Sequence, residues 1–325
     1  MRVVGLHGLM GGLPSIAICS LMRAGAAYEP AYFWQILSLV QKSFTLASVN
    51  IVYDAIGEDS YSLHQLLRGR GVALNVMAEK PREAGSQIFS ERLSTWADVG
   101  NECVEMALRE SPGASHLVWI ESDLCYPYDT LEILIQSNVD IVAPLVYLGN
   151  SFYDSWGFRD RANRKIYSFP AGNPGIESKV VELNSVGSFV LFRSEIFQRG
   201  VRFRGAEYED GLLVGVCNDA RSLGFKIFAN RSLSILHPVS AWREQIWRLT
   251  NLVIYLNKVK VVCLPKANCV VAGPYPEMFS HLLDPICQSL AGYSISQIEV
   301  KRDQSERSFE AHLFFDSMEH VRTLL

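Results

Sequence analysis

The stretch from His116 to Asp129, HLVWIESDLCYPYD, constrains this chain more than any other. Leu117, Val118, Trp119 and Ile120 form an uninterrupted run of β-branched, aromatic and apolar residues, the pattern of a short strand buried on both faces. The run stops at Glu121, Ser122 and Asp123, so two acids stand at the carboxyl end of an interior strand. In an open α/β sheet that end borders the crevice where ligands bind, because the loops leaving the strands open there. Glu121 and Asp123 share a face in extended chain, where their oxygens suit a hard divalent cation such as Mg2+ or Mn2+. A turn that merely begins with acids is the competing reading of the same tripeptide.

The flanking sequence alternates strand and helix patterns. Ile16 to Met22 and Val49 to Tyr53 read as strands, and Val72 to Met77 as a third. Tyr32 to Val40 and Ser62 to Arg70 have helical spacing. Arg92 to Arg109 gives a longer helix, with Trp96, Val99, Cys103, Met106 and Ala107 as its expected inner face, leading into the acidic strand. Tyr128 to Ser137 reads as a helix and Val139 to Val146 as another buried strand. The Gly-rich Gly8 to Gly12 lacks the Gly-Lys-Ser/Thr of a phosphate-binding loop and reads as an ordinary loop. The alternation predicts an α/β fold whose mixed, mostly parallel sheet is flanked by helices.

Charge and cysteine usage narrow the function classes. A net charge of -4 without a Lys/Arg block argues against a nucleic-acid binder, so an anionic ligand needs local help from a metal or a few arginines. The seven cysteines are scattered, with no Cys-x-x-Cys pair, as expected of reduced core thiols in a cytoplasmic protein. No stretch approaches the roughly 20 apolar residues of a membrane span, and a soluble protein without a signal segment is expected.

Two further blocks carry chemistry. Tyr153 to Asp160, YDSWGFRD, packs aromatic and charged residues between elements, as pocket-lining loops do. Arg161 to Lys179 reads as a loop, and Val180 to Phe192 as strand, glycine break and strand. At Gly187 either a ligand or a second backbone approaches closely, or the strand bulges. In Glu207 to His237, Glu209 and Asp210 open a helix running to Leu223 that Gly224 caps. Those acids either complement the helix dipole or act in chemistry. Strands at Lys226 to Ala229 and Leu233 to Leu236 follow, the second ending at His237 before Pro238.

The order of these features resembles glycosyltransferases of the GT-A type. A strand ending in acid-x-Asp, an IVAPL strand, NSVGSFVLF, an acidic pair opening a helix and a last strand ending in His-Pro carry the resemblance, most specifically from Trp119 to His237. The segment VAPLVYLGNSFYDSWGFRD is similar to that of mannan-polymerase-like and capsule-associated mannosyltransferases, and the order of elements to that of bacterial polysaccharide sugar transferases. The resemblance implies a divalent metal bridging the diphosphate of a nucleotide-sugar. Asp123 is then the first metal ligand, Glu121 a contact to ribose or metal-bound water, and His237 the late ligand. The first acid is Glu where Asp is commoner in that superfamily.

That chemistry needs a neutralised diphosphate leaving group, a stabilised oxocarbenium-like centre and, for inversion, a base for the acceptor hydroxyl. Asp210 or Glu209 is the base of an inverting enzyme, or orients the acceptor in a retaining one. Arg92 and Asn101 are placed to contact the donor, and Asp154, Trp156 and Arg159 to shape the sugar or acceptor pocket. The expected partners are a nucleotide-diphosphate-sugar donor and a glycan or glycoconjugate acceptor. The sequence reads as a catalytic domain over 1–257 and a small α/β appendage over 258–325, assembled from strands at Val259 to Leu264, Cys269 to Ala272, Ile295 to Val300 and Ser308 to Phe315 and a helix at Met278 to Leu290. A nucleotidyltransferase acting on sugar phosphates and a non-catalytic nucleotide-sugar-binding module are the rivals. The former usually carries a Gly-rich basic loop after its first strand, which does not follow Met22.

Overall fold

The computed structural model describes residues 13–23, 28–39, 44–54, 64–65, 67–69, 71–78, 90–126, 129–148, 151–169, 179–204 and 211–237, and four strands between 262 and 315. Nine strands form the first sheet: β1 (Ser15–Met22), β2 (Thr45–Tyr53), β3 (Leu74–Ala78), β4 (His116–Ile120), β5 (Ile141–Leu148), β6 (Ser151–Phe152), β7 (Val180–Leu183), β8 (Phe189–Arg193) and β9 (Ile227–Leu236). Their spatial order is β3-β2-β1-β4-β8-β5-β9-β7, with β6 also paired to β5. β1 to β5 and β9 run one way; β6, β7 and β8 run the other. This is the mixed, mostly parallel, helix-flanked α/β sheet expected from the sequence.

The central strands are predominantly apolar because both faces of the sheet are covered. Ala17, Cys19, Leu117 and Trp119 enter one core, and the alternate residues Ile16, Ile18, Val118 and Ile120 enter the other. The helices are α1 (Glu29–Ser38), α2 (Ser90–Glu110), α3 (Thr130–Gln136), α4 (Glu195–Gln198) and α5 (Leu212–Ser222). α2, α4 and α5 supply Cys103, Phe197 and Val216 to the first core; α1 and α3 supply Phe33 and Leu131 to the second. Fully burying a side chain of this size contributes about 1.5–3 kcal/mol, so the interleaved rows hold the sheet between its helices.

Three expectations are refined. Trp96 is not on the inner face of α2: it is 40% exposed, while Ala97 and Val104 are buried. The two strands expected after Gly224 are one, β9, with a register shift opposite Pro144 and Leu145. α5 begins at Leu212, after Gly211 at φ 114, and the left-handed Gly224 at φ 92 ends it as anticipated. Cys19, Cys103, Cys125 and Cys217 are buried free thiols.

The strands β10 (Val262–Leu264), β11 (Cys269–Pro276), β12 (Ile295–Asp303) and β13 (Ser308–Phe315) form a second, antiparallel sheet in the order β10-β11-β13-β12. The helix expected at Met278 to Leu290 lies outside the described residues, as does Gly8 to Gly12.

Candidate functional site

Parallel direction puts the functional ends of distant segments on one edge. β4, β5 and β9 all run the same way, so the residues that follow Ile120, Leu148 and Leu236 emerge together. Asp123 and His237, far apart in sequence, meet there: His237 Nε2 lies 3.2 Å from Asp123 Oδ2, with both side chains mostly buried. His237 is placed by its own backbone, which extends the β5–β9 ladder through its N–H to Tyr147 O at 2.8 Å.

The turn carrying the acids is braced from several sides. Glu121 N–H donates to Ser188 O, and Leu124 N–H to Glu121 O. Gln35 of α1 grips the next residues at two points, donating from Nε2 to Leu124 O and accepting from Tyr126 N–H. Tyr28 hydrogen bonds with the Ser122 side chain. Its burial raises the phenol pKa, and the nearby Asp123 charge raises it further.

Antiparallel β8, inserted between β4 and β5, brings Gly187 and Ser188 against the acids. Ser188 holds φ 59, unusual for a residue with a side chain, and hydrogen bonds with both Glu121 and Asp154. Burial, then the charges of Asp154 and Asp123, push Glu121 up to about 8. Burial likewise pushes Asp154 up to about 6, against the Ser188, Gly157 and His237 contacts that favour its ionised form. Three carboxyl groups and an imidazole thus converge, and ionising all three carboxyls together is opposed by mutual repulsion and desolvation.

Asp154 is buried at 5% exposure, and its Oδ2 has no hydrogen-bond partner. The fit behind it depends on two glycines. A Cβ at Gly187 would lie 2.8 Å from Asp154 Oδ1 and 3.1 Å from Gly157 Cα, so here a second backbone makes the close approach. Gly187→Ala is expected to force these segments apart, lowering stability by about 1–3 kcal/mol. A thermal denaturation midpoint equal to that of the wild type is the outcome that sinks this reading of the close approach.

Other sequence-predicted residues are distributed as follows. Trp156 is 52% exposed, with Lys165 Nζ 4.4 Å from its ring centroid. Arg159, expected in the pocket, is instead buried at 1% exposure and donates from one guanidinium nitrogen to the carbonyls of Ser155, Trp156 and Phe158. It braces the turn after Asp154. The Asn101 amide, expected on the donor, hydrogen bonds both Phe203 N–H and Phe203 O, tying α2 to the segment after α4. Glu209, Asp210 and the Arg92 side chain lie outside the described residues. Tyr28 and Gln35 carried no sequence signal of their own, and Tyr153 and Ser188 lay in stretches the sequence singled out without being named as site residues themselves.

Carboxylate oxygen and imidazole nitrogen at Asp123 and His237 fit a divalent first-row cation, and the buried Asp154 Oδ2 has no hydrogen-bond partner. Among the described residues no group of three or more His, Cys, Asp or Glu side chains is already arranged around a metal position. Two protein donors leave positions for water and for ligand phosphates, as Mg2+ and Mn2+ sites commonly do. Among the described residues no helix is long and apolar enough to cross a membrane.

No protein-family model matches the chain. No curated protein matches it either. Among solved structures it is similar to S. aureus TarS 1-349, at 11% identity and a TM-score of 0.44 over 87% of this chain and 75% of that one. It is similar to the mannosyltransferase PcManGT from Pyrobaculum calidifontis in complex with GDP-Man and Mn2+, at 13% identity and a TM-score of 0.45 over 86% and 74%. It is also similar to GalNAc-T7 with UDP, GalNAc and Mn2+, at 12% identity and a TM-score of 0.45 over 75% of this chain and 48% of that one.

Proposed function

We propose that the chain is a metal-dependent glycosyltransferase, moving a hexosyl unit from a nucleotide-diphosphate-sugar to a hydroxyl of a glycan or glycoconjugate. The observation that carries this reading is the meeting of Asp123 and His237 on the carboxyl edge of the sheet, 3.2 Å apart, with Glu121 and Asp154 behind them. In this reading Asp123 and His237 hold Mn2+ or Mg2+, and Glu121 meets the ribose or a metal-bound water. The metal supplies positive charge to the diphosphate leaving group, a contribution of several kcal/mol to the transition state. Trp156, exposed on the turn that begins at Asp154, offers a ring face to a sugar of the donor or acceptor. Glu209 or Asp210 is the base in this scheme, and Arg159 and Asn101 are scaffold. Residues 1–257 form the catalytic unit and 258–325 an appendage.

The test is a thermal-shift titration against nucleoside diphosphates and nucleotide-sugars, with Mn2+ and with chelator. One base is expected to stabilise the protein only with metal, by about 2.7 kcal/mol at a hundredfold excess over Kd. Incubation with that nucleotide-sugar and a glycan should then release the nucleoside diphosphate. Release of pyrophosphate points to a nucleotidyltransferase, and nucleotide binding indifferent to metal points to a binding module. No nucleotide effect at all ends the proposal.

A further inference from the structure

We infer that Tyr153 is a positioning residue for His237, an assignment that rests on His237 belonging to the proposed donor site. The Tyr153 ring stacks on the imidazole at a centroid distance of 4.1 Å and an interplanar angle of 23°. An imidazole's χ2 torsion is broad, so a strand terminus that places the His237 backbone does not by itself decide where Nε2 points. The stack fixes the ring plane, and in that plane Nε2 faces Asp123 Oδ2 at 3.2 Å.

Both rings are hung from β5. β6 pairs antiparallel with the end of β5, and just beyond it Tyr153 N–H donates to Val146 O at 2.9 Å. β9 pairs with β5 through Leu236 and Tyr147, and His237 N–H donates to Tyr147 O. The two anchoring carbonyls belong to consecutive residues of β5, and this register brings the rings face to face. Tyr153 is itself held, partly buried and packed against the second of the two cores. Its neighbour Asp154 lies on the Gly157–Gly187 contact, so the Tyr-Asp pair supports the imidazole with one side chain and stands behind Glu121 with the next.

The test uses the full chain without metal first. The ring nitrogens of His237, identified in long-range proton–nitrogen correlation spectra by their loss in His237→Gln, are expected to show one fixed tautomer in the wild type. Tyr153→Phe keeps the ring and should keep that signature, with Mn2+ affinity within about twofold of wild type. Tyr153→Leu should move the nitrogen shifts toward tautomer averaging and weaken Mn2+ binding by about 2- to 10-fold, the range for loss of a ring pair. Should Tyr153→Leu not fold, Tyr153→Met conserves volume without a ring and carries the same expectation. Unchanged His237 nitrogens in a folded ring-less variant overturn the assignment, as does loss of the signature in Tyr153→Phe. If the wild type binds no Mn2+, the transferase reading falls, while the metal-free spectra still judge the positioning.

Discussion

Asp123→Asn is expected to lower sugar transfer by about a thousandfold or more while leaving the thermal midpoint within a few degrees of wild type. The substitution keeps the shape of the side chain and removes the charge that faces His237 Nε2 at 3.2 Å. A carboxylate ligand supplies both position and charge to a divalent cation, and an amide supplies neither well. The predicted loss corresponds to about 4 kcal/mol of transition-state stabilisation, the size expected when a metal's Lewis-acid contribution is removed. Steady-state rates over a range of Mn2+ concentrations separate two outcomes. Recovery at high Mn2+ assigns the loss to metal affinity, and no recovery assigns it to orientation of the diphosphate. A variant as active as the wild type in chelator would show that Asp123 takes no part in metal chemistry.

Charge removal at this position also reads differently from loss of fold. Ser20 Oγ on Ile120 O and Gln35 on Leu124 and Tyr126 brace the acidic turn without using the Asp123 carboxylate. The turn should therefore persist in the variant. Asn101→Ala offers the contrast: it removes both bonds to the Phe203 backbone and should act through stability, by about 1–3 kcal/mol, with donor affinity little changed in the folded fraction.

Much of this arrangement was legible in the sequence because it depends on local patterns. An apolar run broken by acids announces a buried strand and its carboxyl end, which is why His116 to Asp123 could be read directly. The amphipathic spacing of α2 was equally plain, but periodicity fixes a helix face only to within a residue or so, and Trp96 and Ala97 exchange places at its edge. Strand direction leaves no such mark. Nothing in FVLFR says that β8 runs against β4, yet that reversal delivers Gly187 and Ser188 to Glu121. Arg159 shows a different limit. An arginine in a polar-aromatic loop is read as a ligand contact by type, whereas here one guanidinium nitrogen donates to three backbone carbonyls of its own turn, which favours its burial. Tyr153, Gln35 and Tyr28 act through partners far along the chain, which no window of sequence brings together.

The crowding of carboxyl groups gives the second large effect. Glu121→Gln is expected to stabilise the metal-free protein, and to do so increasingly as pH rises. Glu121 is held at about 8 in the fold against 4.5 when unperturbed, so between those values the native state keeps a proton that the unfolded chain has released. Stability then falls as pH rises through this window and levels off above it. Asp154, held at about 6 against 3.8, adds a loss of the same sign at lower pH. Glutamine mimics the protonated acid, so the variant and the wild type should be nearly equal at pH 5 and diverge toward pH 8, by about 2–4 kcal/mol in favour of the variant. A gap of roughly 4–8 °C in thermal midpoint at pH 8 corresponds to that range. Mn2+ should close part of the gap by stabilising the ionised wild type, and its affinity for the wild type should increase with pH, because binding must displace protons from these acids. Thermal scans of both proteins at pH 5 and pH 8, with and without Mn2+, decide the matter. Equal midpoints at pH 8 in chelator would mean that Glu121 ionises without penalty, and the strained, cation-seeking character assigned to this edge of the sheet would have no basis.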